Sequence, residues 1–368
     1  MSFQLPNGND LTIEQLDIIN LPTNEDWVIT GGPGTGKTVM AVYRAAQLGR
    51  KKKILMIVYN KPLQQYIETA VRGSAYKNCE IKTYHQWISD FYKKELTGRS
   101  VPKFGAFDPD WDRILDQCAG IGKVYDHVII DEAQDLPIEL IRLLKMVSKN
   151  ITCFVDPDQS IDDDKTDTAD MLMEICVEAP YELTRNFRNT KPIRDVSTIF
   201  CNENNGDPVD SDIPGKLPVI IKCDDYSDMS EKMALIINQN KEKNIGVFVN
   251  NKNLKATYNA LTELVDKNIN IEYYKTFSSP IDFDVDGVKI LSYGTMKGLE
   301  FDMVLLPRIE KIKSTDDVYT DYNRLYVAVT RARSELYMFY FDTYIGDKWM
   351  DSMTPILNNQ DLFEWRKG

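Results

Sequence analysis

Polar and apolar positions alternate in a regular way along most of the chain. Short runs with the length of strands lie at 27–29, 54–58, 80–82, 128–130 and 151–155, and again at 245–249, 269–273, 288–291, 303–306 and 335–341. Stretches with helical spacing follow several of them, at 39–48, 254–265 and 322–330. Strands that alternate with helices form parallel sheets, so the pattern predicts an α/β fold.

The alternation starts again near residue 181. We therefore expect two units in tandem, 1–180 and 181–368, each a parallel sheet flanked by helices. Residues 90–122 are less regular and contain glycines and an Asp-Pro pair, which predicts a small helical insertion in the first unit. The chain of 368 residues is long enough for two such cores.

A glycine-rich segment separates the first predicted strand from the first helical stretch. It fits the pattern G-x-x-x-x-G-K-[ST] in full and consists of Gly31, Gly32, Pro33, Gly34, Thr35, Gly36, Lys37 and Thr38. Between a strand and a helix, the backbone N–H groups of such a loop can bind a phosphate, and the positive end of the helix dipole attracts its charge. We expect Lys37 to reach the β and γ phosphates of ATP and the Thr38 hydroxyl to bind Mg²⁺.

The apolar run at 128–130 ends in a second motif, Asp131-Glu132-Ala133-Gln134-Asp135. A strand that delivers acidic residues to the nucleotide is the second half of a P-loop ATPase. Asp131 is expected to hold Mg²⁺, directly or through water, and Glu132 to orient and deprotonate the attacking water. The alternative interpretation is a capped helix start with surface acids.

Gln15 lies about one helix upstream of the glycine-rich segment. Together with Thr12 it has the spacing of a capping box at a helix start. Two roles are therefore open for Gln15. It can serve the cap alone, or its carboxamide can pair with N6 and N7 of adenine.

Composition and charge restrict the class of protein. Hydrophobic and charged contents of 43% and 27% are ordinary for a soluble globular chain. A net charge of −12 argues against a dedicated nucleic-acid coat protein but allows a local basic groove. We expect no signal peptide and no membrane span, since residues 1–10 are polar and apolar runs are short. Six cysteines without a C-x-x-C pair predict reduced thiols, a cytoplasmic protein and no zinc site.

Six motifs follow one another along the chain. They are the phosphate loop, Asp131-Glu132-Ala133-Gln134-Asp135, Asp158-Gln159-Ser160-Ile161, Asn186-Phe187-Arg188, Lys297-Gly298-Leu299-Glu300-Phe301 and Val329-Thr330-Arg331-Ala332. Together they resemble the superfamily 1 DNA helicases of the UvrD/PcrA/Rep type, from about Gln15 to Arg333. The resemblance implies two RecA-like P-loop domains in tandem, with an ATP cleft between them.

The resemblance also implies individual roles. Gln15 would read adenine, Phe187 would stack on it, and Glu300 would contact the ribose. Gln159 would sense the γ-phosphate and couple hydrolysis to movement.

Two arginines complete the implied ATP site. Arg188 and Arg331 would reach phosphates from the second domain, so that the cleft closes on ATP and opens after hydrolysis. Taken singly, either residue could equally be an ordinary surface or ion-pair arginine.

Similar proteins bind single-stranded DNA across both domains and move in the 3′-to-5′ direction. By that analogy, residues after two strands of the first unit would contact the strand through stacking and phosphate pairing. These residues are Tyr59, Asn60, Lys61, Thr83, Tyr84 and His85.

Three features depart from the family pattern. Residues 156–170 contain seven Asp and one Lys, where the family has an aromatic-rich segment, and this charge would repel a DNA backbone. The segment 293–296, Tyr-Gly-Thr-Met, lacks the histidine that the family usually has there. The chain between Arg188 and Lys297 is too short for the family's large accessory insertion.

Two functions are therefore open. The first is an ATP-dependent single-stranded DNA translocase or helicase of UvrD-like type, which can need a partner for unwinding. The second is an ATP-driven regulatory subunit that controls a partner protein such as a nuclease, with weak or no unwinding. The acidic run at 162–164 suggests the second function, because such a run can bind a basic partner. A solvated acidic loop also explains the run.

Overall fold

The computed structural model describes residues 11–70, 77–96, 98–105, 109–157, 166–201, 210–275, 281–311, 318–341 and 350–366. Contacts between residues divide the chain into two compact units. The described residues within Leu5–Gly31 and Gly36–Leu183 form the first unit, and those within Gly32–Thr35 and Thr184–Gly368 form the second.

The first unit is built on a parallel sheet. Its strands within the described residues are β1 (Trp27–Gly31), β2 (Ile54–Val58), β3 (Cys79–Thr83), β4 (Tyr125–Ile130), β5 (Ser148–Val155) and β6 (Tyr181–Leu183). Their order across the sheet is β3-β2-β4-β5-β1-β6. The helices of this unit are α1 (Ile13–Asn20), α2 (Lys37–Gly49), α3 (Lys61–Ala70), α4 (Tyr84–Glu95), α5 (Trp111–Cys118), α6 (Ile138–Val147) and α7 (Thr168–Ile175).

The second unit repeats this architecture. Its described strands are β7 (Val219–Cys223), β8 (Ile245–Val249), β9 (Ile271–Tyr273), β10 (Val288–Ser292), β11 (Phe301–Leu306), β12 (Ala332–Phe341) and β13 (Glu364–Arg366). They are parallel in the order β13-β7-β12-β11-β8-β10-β9. The helices are α8 (Lys191–Thr198), α9 (Tyr226–Gln239), α10 (Leu254–Leu264), α11 (Val318–Thr330) and α12 (Met350–Asn358).

Burial of both sheet faces explains the long apolar runs in the sequence. Every residue of β2 and of β8 is buried, because helices cover both faces of a parallel sheet. Each unit has its own hydrophobic cluster, one around β4, β5 and α6, and the other around β7, β8 and α9. The predicted fold class, parallel sheets flanked by helices in an α/β chain, is confirmed.

Differences from the predicted elements are local. The strand β6 pairs with β1, with Tyr181 beside Ile29, so it completes the first sheet, although the pattern near 181 suggested a new unit. In the predicted insertion, α4 runs on to Glu95, and α5 is a separate two-turn helix. Besides β6, the elements that were not predicted from the sequence are α3, α6, α7, α9, α12, β7 and β13. Among the described residues, no helix is long and apolar enough to cross a membrane.

Candidate nucleotide site and its surroundings

The carboxyl edge of the first sheet gathers most of the predicted residues of the first unit. The phosphate loop follows β1, Asp156 follows β5, and Asp131 and Glu132 follow β4. These three strands are neighbours in the order β4-β5-β1, although they are far apart in the chain. Parallel sheets bind ligands at this edge, so the sheet order itself assembles the candidate site.

The backbone conformation of the phosphate loop requires glycine at two positions. Gly34 and Gly36 have φ of +77° and +89°, where residues with a side chain are strained. Gly36 is also the residue before α2, and a Cβ on it would lie 2.8 Å from Nε2 of Gln15. The Thr35 hydroxyl closes the loop by donating a hydrogen bond to the Gly32 carbonyl at 2.9 Å. The loop is therefore held in a conformation that leaves the start of α2 without a side-chain cap.

Lys37 is held by groups at the ends of two adjacent strands. Its Nζ donates to the Gly31 carbonyl at 2.6 Å and to Oδ2 of Asp156 at 2.8 Å. Both side chains are buried, at 7% and 0% exposure, so the pair is a desolvated ion pair. Asp156 therefore holds the ammonium group of Lys37 at the phosphate loop.

Asp131 combines one paired and one unpaired oxygen. Its Oδ2 accepts a hydrogen bond from the Thr38 hydroxyl at 2.8 Å. Its Oδ1 is buried and has no hydrogen-bond partner among the described residues. Burial, and next the nearby Glu132 carboxylate, raise the pKa of Asp131 to about 7. A buried oxygen of this kind calls for a cation, because pairing is what offsets the cost of burying a carboxylate.

Glu132 is positioned by its own backbone and by Gln134. It has φ of +54°, an uncommon conformation for a residue with a side chain, and is 4% exposed. The Gln134 amide donates from Nε2 to Oε2 of Glu132 at 2.7 Å and accepts from the Asp156 N–H at 3.1 Å. Gln134 thus connects the predicted base to the residue that holds Lys37.

Gln15 forms the predicted capping box, whereas its role toward adenine stays a prediction. Its Oε1 accepts from the Thr12 N–H at 3.1 Å, and the Thr12 hydroxyl accepts from the Gln15 N–H, which is a complete capping box. Its amide nitrogen also lies against Gly36 of the phosphate loop. Arg44 of α2 fixes the other end of α1, since its guanidinium donates to the carbonyls of Ile18, Leu21 and Pro22.

Glu300 in the second unit carries an ion pair that the sequence did not predict. Its Oε2 accepts from Nε of Arg188 at 2.7 Å, and its Oε1 accepts from a terminal nitrogen of Arg333 at 2.8 Å. Burial opposes ionisation of this carboxyl, but the two arginines outweigh burial and lower the pKa of Glu300 to about 2. The structure therefore places Arg188 and Glu300 in direct contact.

Arg331 and Phe187 differ sharply in exposure. Arg331 is 1% exposed, and its guanidinium donates to the Val327 carbonyl at 3.0 Å and to the Thr330 hydroxyl at 3.2 Å. Phe187 is 43% exposed, which leaves its ring accessible for stacking. The predicted roles of both residues toward ATP stay predictions.

The residues predicted to contact nucleic acid follow β2 and β3, which are neighbours at one side of the sheet. Two of them begin helices, since Asn60 Oδ1 accepts from the Leu63 N–H and the Thr83 hydroxyl accepts from the Gln86 N–H. The Tyr84 and His85 rings lie 3.7 Å apart between centroids. Lys61 donates to Gln64 at 2.9 Å, and Tyr59 is partly exposed. Their contact with nucleic acid stays a prediction.

Gln159 lies outside the described residues, as does the acidic run at 162–164. Three contributing residues were missed by reasoning from sequence, namely Gln134, Asp156 and Arg333. A signal for the first two was present, because Asp156 stands directly after β5 and Gln134 lies four residues after the end of β4, within the motif that starts at Asp131. No local pattern marks Arg333 as the partner of Glu300, which lies 33 positions away.

The side chains at the phosphate loop and at Asp131 have the chemistry that binding of ATP with Mg²⁺ requires. The unpaired oxygen of Asp131 and the Thr38 hydroxyl are hard oxygen donors of the kind that Mg²⁺ prefers. Lys37 and the start of α2 supply positive charge for phosphates.

Comparison with known proteins gives two family matches. Residues 15–164 match the family model of an AAA domain, and residues 289–339 match that of the UvrD-like helicase C-terminal domain. Among solved structures, the chain is similar to the C-terminal domain of a possible DNA helicase from Lactobacillus plantarum WCFS1. That similarity has 16% identity and a TM-score of 0.36, over 49% of this chain and 98% of the other. No curated protein matches the chain.

The two family matches occur in the order that the motifs predicted. The first covers the phosphate loop and the motif from Asp131, and the second covers β10, β11 and most of β12. The chain thus contains a region, 15–164, that is similar to the AAA domain family, followed by a region, 289–339, that is similar to the UvrD-like helicase C-terminal domain family.

Proposed function

We propose that the chain is an ATP-dependent translocase or helicase of single-stranded DNA, which can need a partner to separate a duplex. The observation that carries the proposal is the grouping of Lys37, Thr38, Asp131 and Glu132 at the carboxyl edge of the first sheet, where Lys37 pairs with Asp156 and Thr38 with Asp131. The similarity of residues 289–339 to the UvrD-like helicase C-terminal domain family supports nucleic acid as the substrate.

Hydrolysis would use the side chains of the first unit in distinct roles. Lys37 binds the phosphates, while Thr38 and Asp131 hold Mg²⁺, which neutralises charge on the phosphate oxygens when it is bound. Glu132 accepts a proton from the attacking water through the carboxylate that Gln134 orients.

The proposal also assigns roles toward ATP to residues of the second unit. Phe187 would stack on adenine, while Arg188 and Arg331 would contribute charge to the γ-phosphate. Because Glu300 pairs with Arg188 in the structure, the proposed action of Arg188 on phosphate requires that this pair be exchanged or shared. The proposal thus gives Glu300 a role in holding Arg188, in addition to its predicted contact with ribose.

The decisive experiment measures ATP turnover with and without single-stranded DNA over a series of salt concentrations. We expect strong stimulation by DNA that weakens as salt rises, because phosphate contacts release counterions. Turnover that is indifferent to DNA at every salt concentration contradicts the motor. Single-stranded RNA of the same sequence is the matched control for the kind of nucleic acid.

The second candidate is an ATP-driven regulatory subunit for a partner such as a nuclease. The acidic composition of 156–170 favours it, although the described part of this segment is not uniform. Asp156 is buried against Lys37, whereas Asp167 and Asp170 are exposed. Turnover that appears only when a protein partner is added, with DNA having no effect, supports this candidate over the motor.

A further inference from the structure

A single buried side chain from another segment of the second unit holds the end of α11. Asn189 is 1% exposed, and its amide nitrogen Nδ2 donates to the Thr330 carbonyl at 3.0 Å and to the Ala332 carbonyl at 2.6 Å. These two carbonyls stand on either side of Arg331 in the chain. A carboxamide has two N–H donors, so Asn189 uses both of them on the backbone that carries Arg331.

Two contacts from backbone N–H groups act on the same short segment. The Arg331 carbonyl accepts from the Phe301 N–H at 3.0 Å, and the Arg333 carbonyl accepts from the Thr190 N–H at 3.0 Å. The four consecutive carbonyls of 330–333 thus all accept hydrogen bonds from residues outside α11. The backbone that carries Arg331 is therefore fixed from both sides, independently of the contacts that its guanidinium makes.

Asn189 is itself oriented by the segment that carries Arg188. Its Oδ1 accepts from Nδ2 of Asn186 at 3.0 Å. The Oδ1 of Asn186 in turn accepts from the N–H groups of Arg188 and Asn189, at 2.9 and 3.1 Å. Both asparagines are buried, and hydrogen bonds are stronger where water is excluded. Asn186 and Asn189 therefore connect the backbone of Arg188 to the backbone of Arg331.

Glu300 provides a second connection between the same two segments, through side chains. Its carboxylate pairs with Arg188 at 2.7 Å and with Arg333 at 2.8 Å. Segments 186–190 and 330–333 are thus joined twice, once by the amide of Asn189 and once by Glu300. The amide link requires asparagine, because an aspartate of the same size has no N–H to donate and would place negative charge against two carbonyl oxygens.

We propose that Asn189 is a positioning residue for ATP hydrolysis, which ties the segment of Arg188 to the backbone on both sides of Arg331. The two arginines then approach the phosphates as one unit. This inference rests on the proposed function, in which both arginines act on the γ-phosphate. Misplacing a group that acts in the transition state lowers the rate more than it lowers binding. Loss of the Asn189 amide therefore lowers kcat and leaves the KM for ATP nearly unchanged.

A double-mutant cycle on the full chain tests whether Asn189 acts through Arg331. We expect Asn189→Ala alone to lower kcat about tenfold, the size of effect from losing two neutral hydrogen bonds. Added to Arg331→Ala, the same change should lower kcat less than about twofold, because the group that it positions is already absent. Equal losses in the two backgrounds overturn the proposal, since Asn189 would then act independently of Arg331.

Matched variants separate the two donors from a general change in the unit. Asn189→Asp keeps the size of the side chain but loses both donors, and should lower kcat at least as much as Asn189→Ala. Asn240→Ala also removes an amide donor to a carbonyl, that of Ile236, but at the end of α9, and should leave kcat unchanged. Normal kcat in Asn189→Asp contradicts the role of the donors. If Asn189→Ala does not fold, Asn189→Ser keeps one donor and replaces it in the cycle, with an expected loss of about threefold.

Hydrogen exchange of the Thr190 and Phe301 N–H groups tests the connection without ATP turnover. We expect exchange to be about tenfold faster in Asn189→Ala than in the wild type, because the carbonyls that they bind are less firmly held, and unchanged in Asn240→Ala. If the wild-type chain does not hydrolyse ATP, the proposed function fails, whereas faster exchange still supports the tie between the two segments. Unchanged exchange in Asn189→Ala overturns the proposal.

Discussion

The two sheets share an architecture but differ in the side chains at their carboxyl edges. In the first unit, this edge has four buried residues with ionisable side chains, namely Asp131 and Glu132 after β4, Asp156 after β5 and Lys37 at the start of α2. In the second unit, the corresponding edge has no glycine-rich loop among the described residues and surrounds a cavity with methionine walls. A parallel sheet therefore supplies a position for chemistry, and the few residues after each strand decide which chemistry occurs there.

The two units also differ in the pKa of a buried carboxyl group. The first edge brings two adjacent carboxylates and an unpaired oxygen together, which raises the pKa of Asp131 to about 7 because of burial and then Glu132. The second unit surrounds Glu300 with two arginines, which lowers its pKa to about 2 against the effect of burial. The first arrangement is suited to binding a cation and the second to holding arginines in place.

The largest expected effect comes from removing the predicted base. Glu132→Gln should lower the rate of ATP turnover by roughly 10²- to 10⁴-fold while ATP still binds, because the amide cannot accept a proton. Steady-state turnover and equilibrium binding of ATP check this. Lys37→Ala is the comparison variant, since it should lose binding as well. Near-normal turnover by Glu132→Gln would show that another group is the base.

A matched pair of arginines tests the second unit. Arg188 and Arg333 both pair with Glu300, so either alanine variant removes one partner of the same carboxylate. Arg188→Ala should lower ATP turnover by roughly 10- to 100-fold if it acts on phosphate. Arg333→Ala should change ATP turnover little. Comparable melting temperatures of the two variants would exclude unfolding as the cause of the loss in Arg188→Ala. Equal losses in the two variants would mean that the ion pair itself, and not Arg188, is what matters.

Acid should affect the two units at different pH. His127 of β4 is buried beside Thr152, and burial followed by the charge of Arg44 lowers its pKa to about 3. Since the folded state binds fewer protons than the unfolded state, this stability is present above pH 6.5 and is lost as the pH falls. The slope is about 1.4 kcal/mol per pH unit between about pH 6.5 and 3.

The corresponding loss in the second unit starts at lower pH. Glu300 contributes stability above pH 4.5 that is lost as the pH falls toward 2. Asp131 opposes the loss from His127 between pH 7 and 5, because its pKa is raised to about 7 and its carboxyl binds a proton more readily in the folded state. The contribution of His127 is therefore measured as the difference in hydrogen-exchange protection of β4 between the wild type and His127→Gln over this range. We expect protection to decrease more with falling pH in the wild type than in the variant, and equal pH dependence in the two would exclude His127 as a source of acid sensitivity.

The smallest expected effect concerns a positioning residue. Gln134→Ala removes the hydrogen bond to Glu132 and should lower the rate of turnover about tenfold, consistent with one hydrogen bond to a charged group. The KM for ATP should change little, because the contacts of Gln134 are with Glu132 and with the backbone N–H of Asp156. A purely structural role would instead lower the melting temperature and leave the rate per folded molecule unchanged.

Most residues at the carboxyl edge of the first sheet could be predicted, because the sequence patterns that mark them are local. The spacing of Gly31 to Thr38 and the apolar run before Asp131 each lie within a few residues. The capping box of Thr12 and Gln15 was equally visible, and the structure contains both of its hydrogen bonds. Pairings such as those of Glu300 with Arg188 and Arg333 were not visible, because they join residues 112 and 33 positions apart.

The sequence by itself determined the class of fold, the order of the motifs and the residues available at each strand end. Those properties depend on the period of apolar residues and on short spacings, which act within single elements. The tertiary structure decided which strand ends meet. The order β4-β5-β1 brings Asp131 to Thr38 and Asp156 to Lys37 across 93 and 119 positions of the chain. Such contacts arise from how crossover helices place parallel strands in a sheet, which no local pattern specifies.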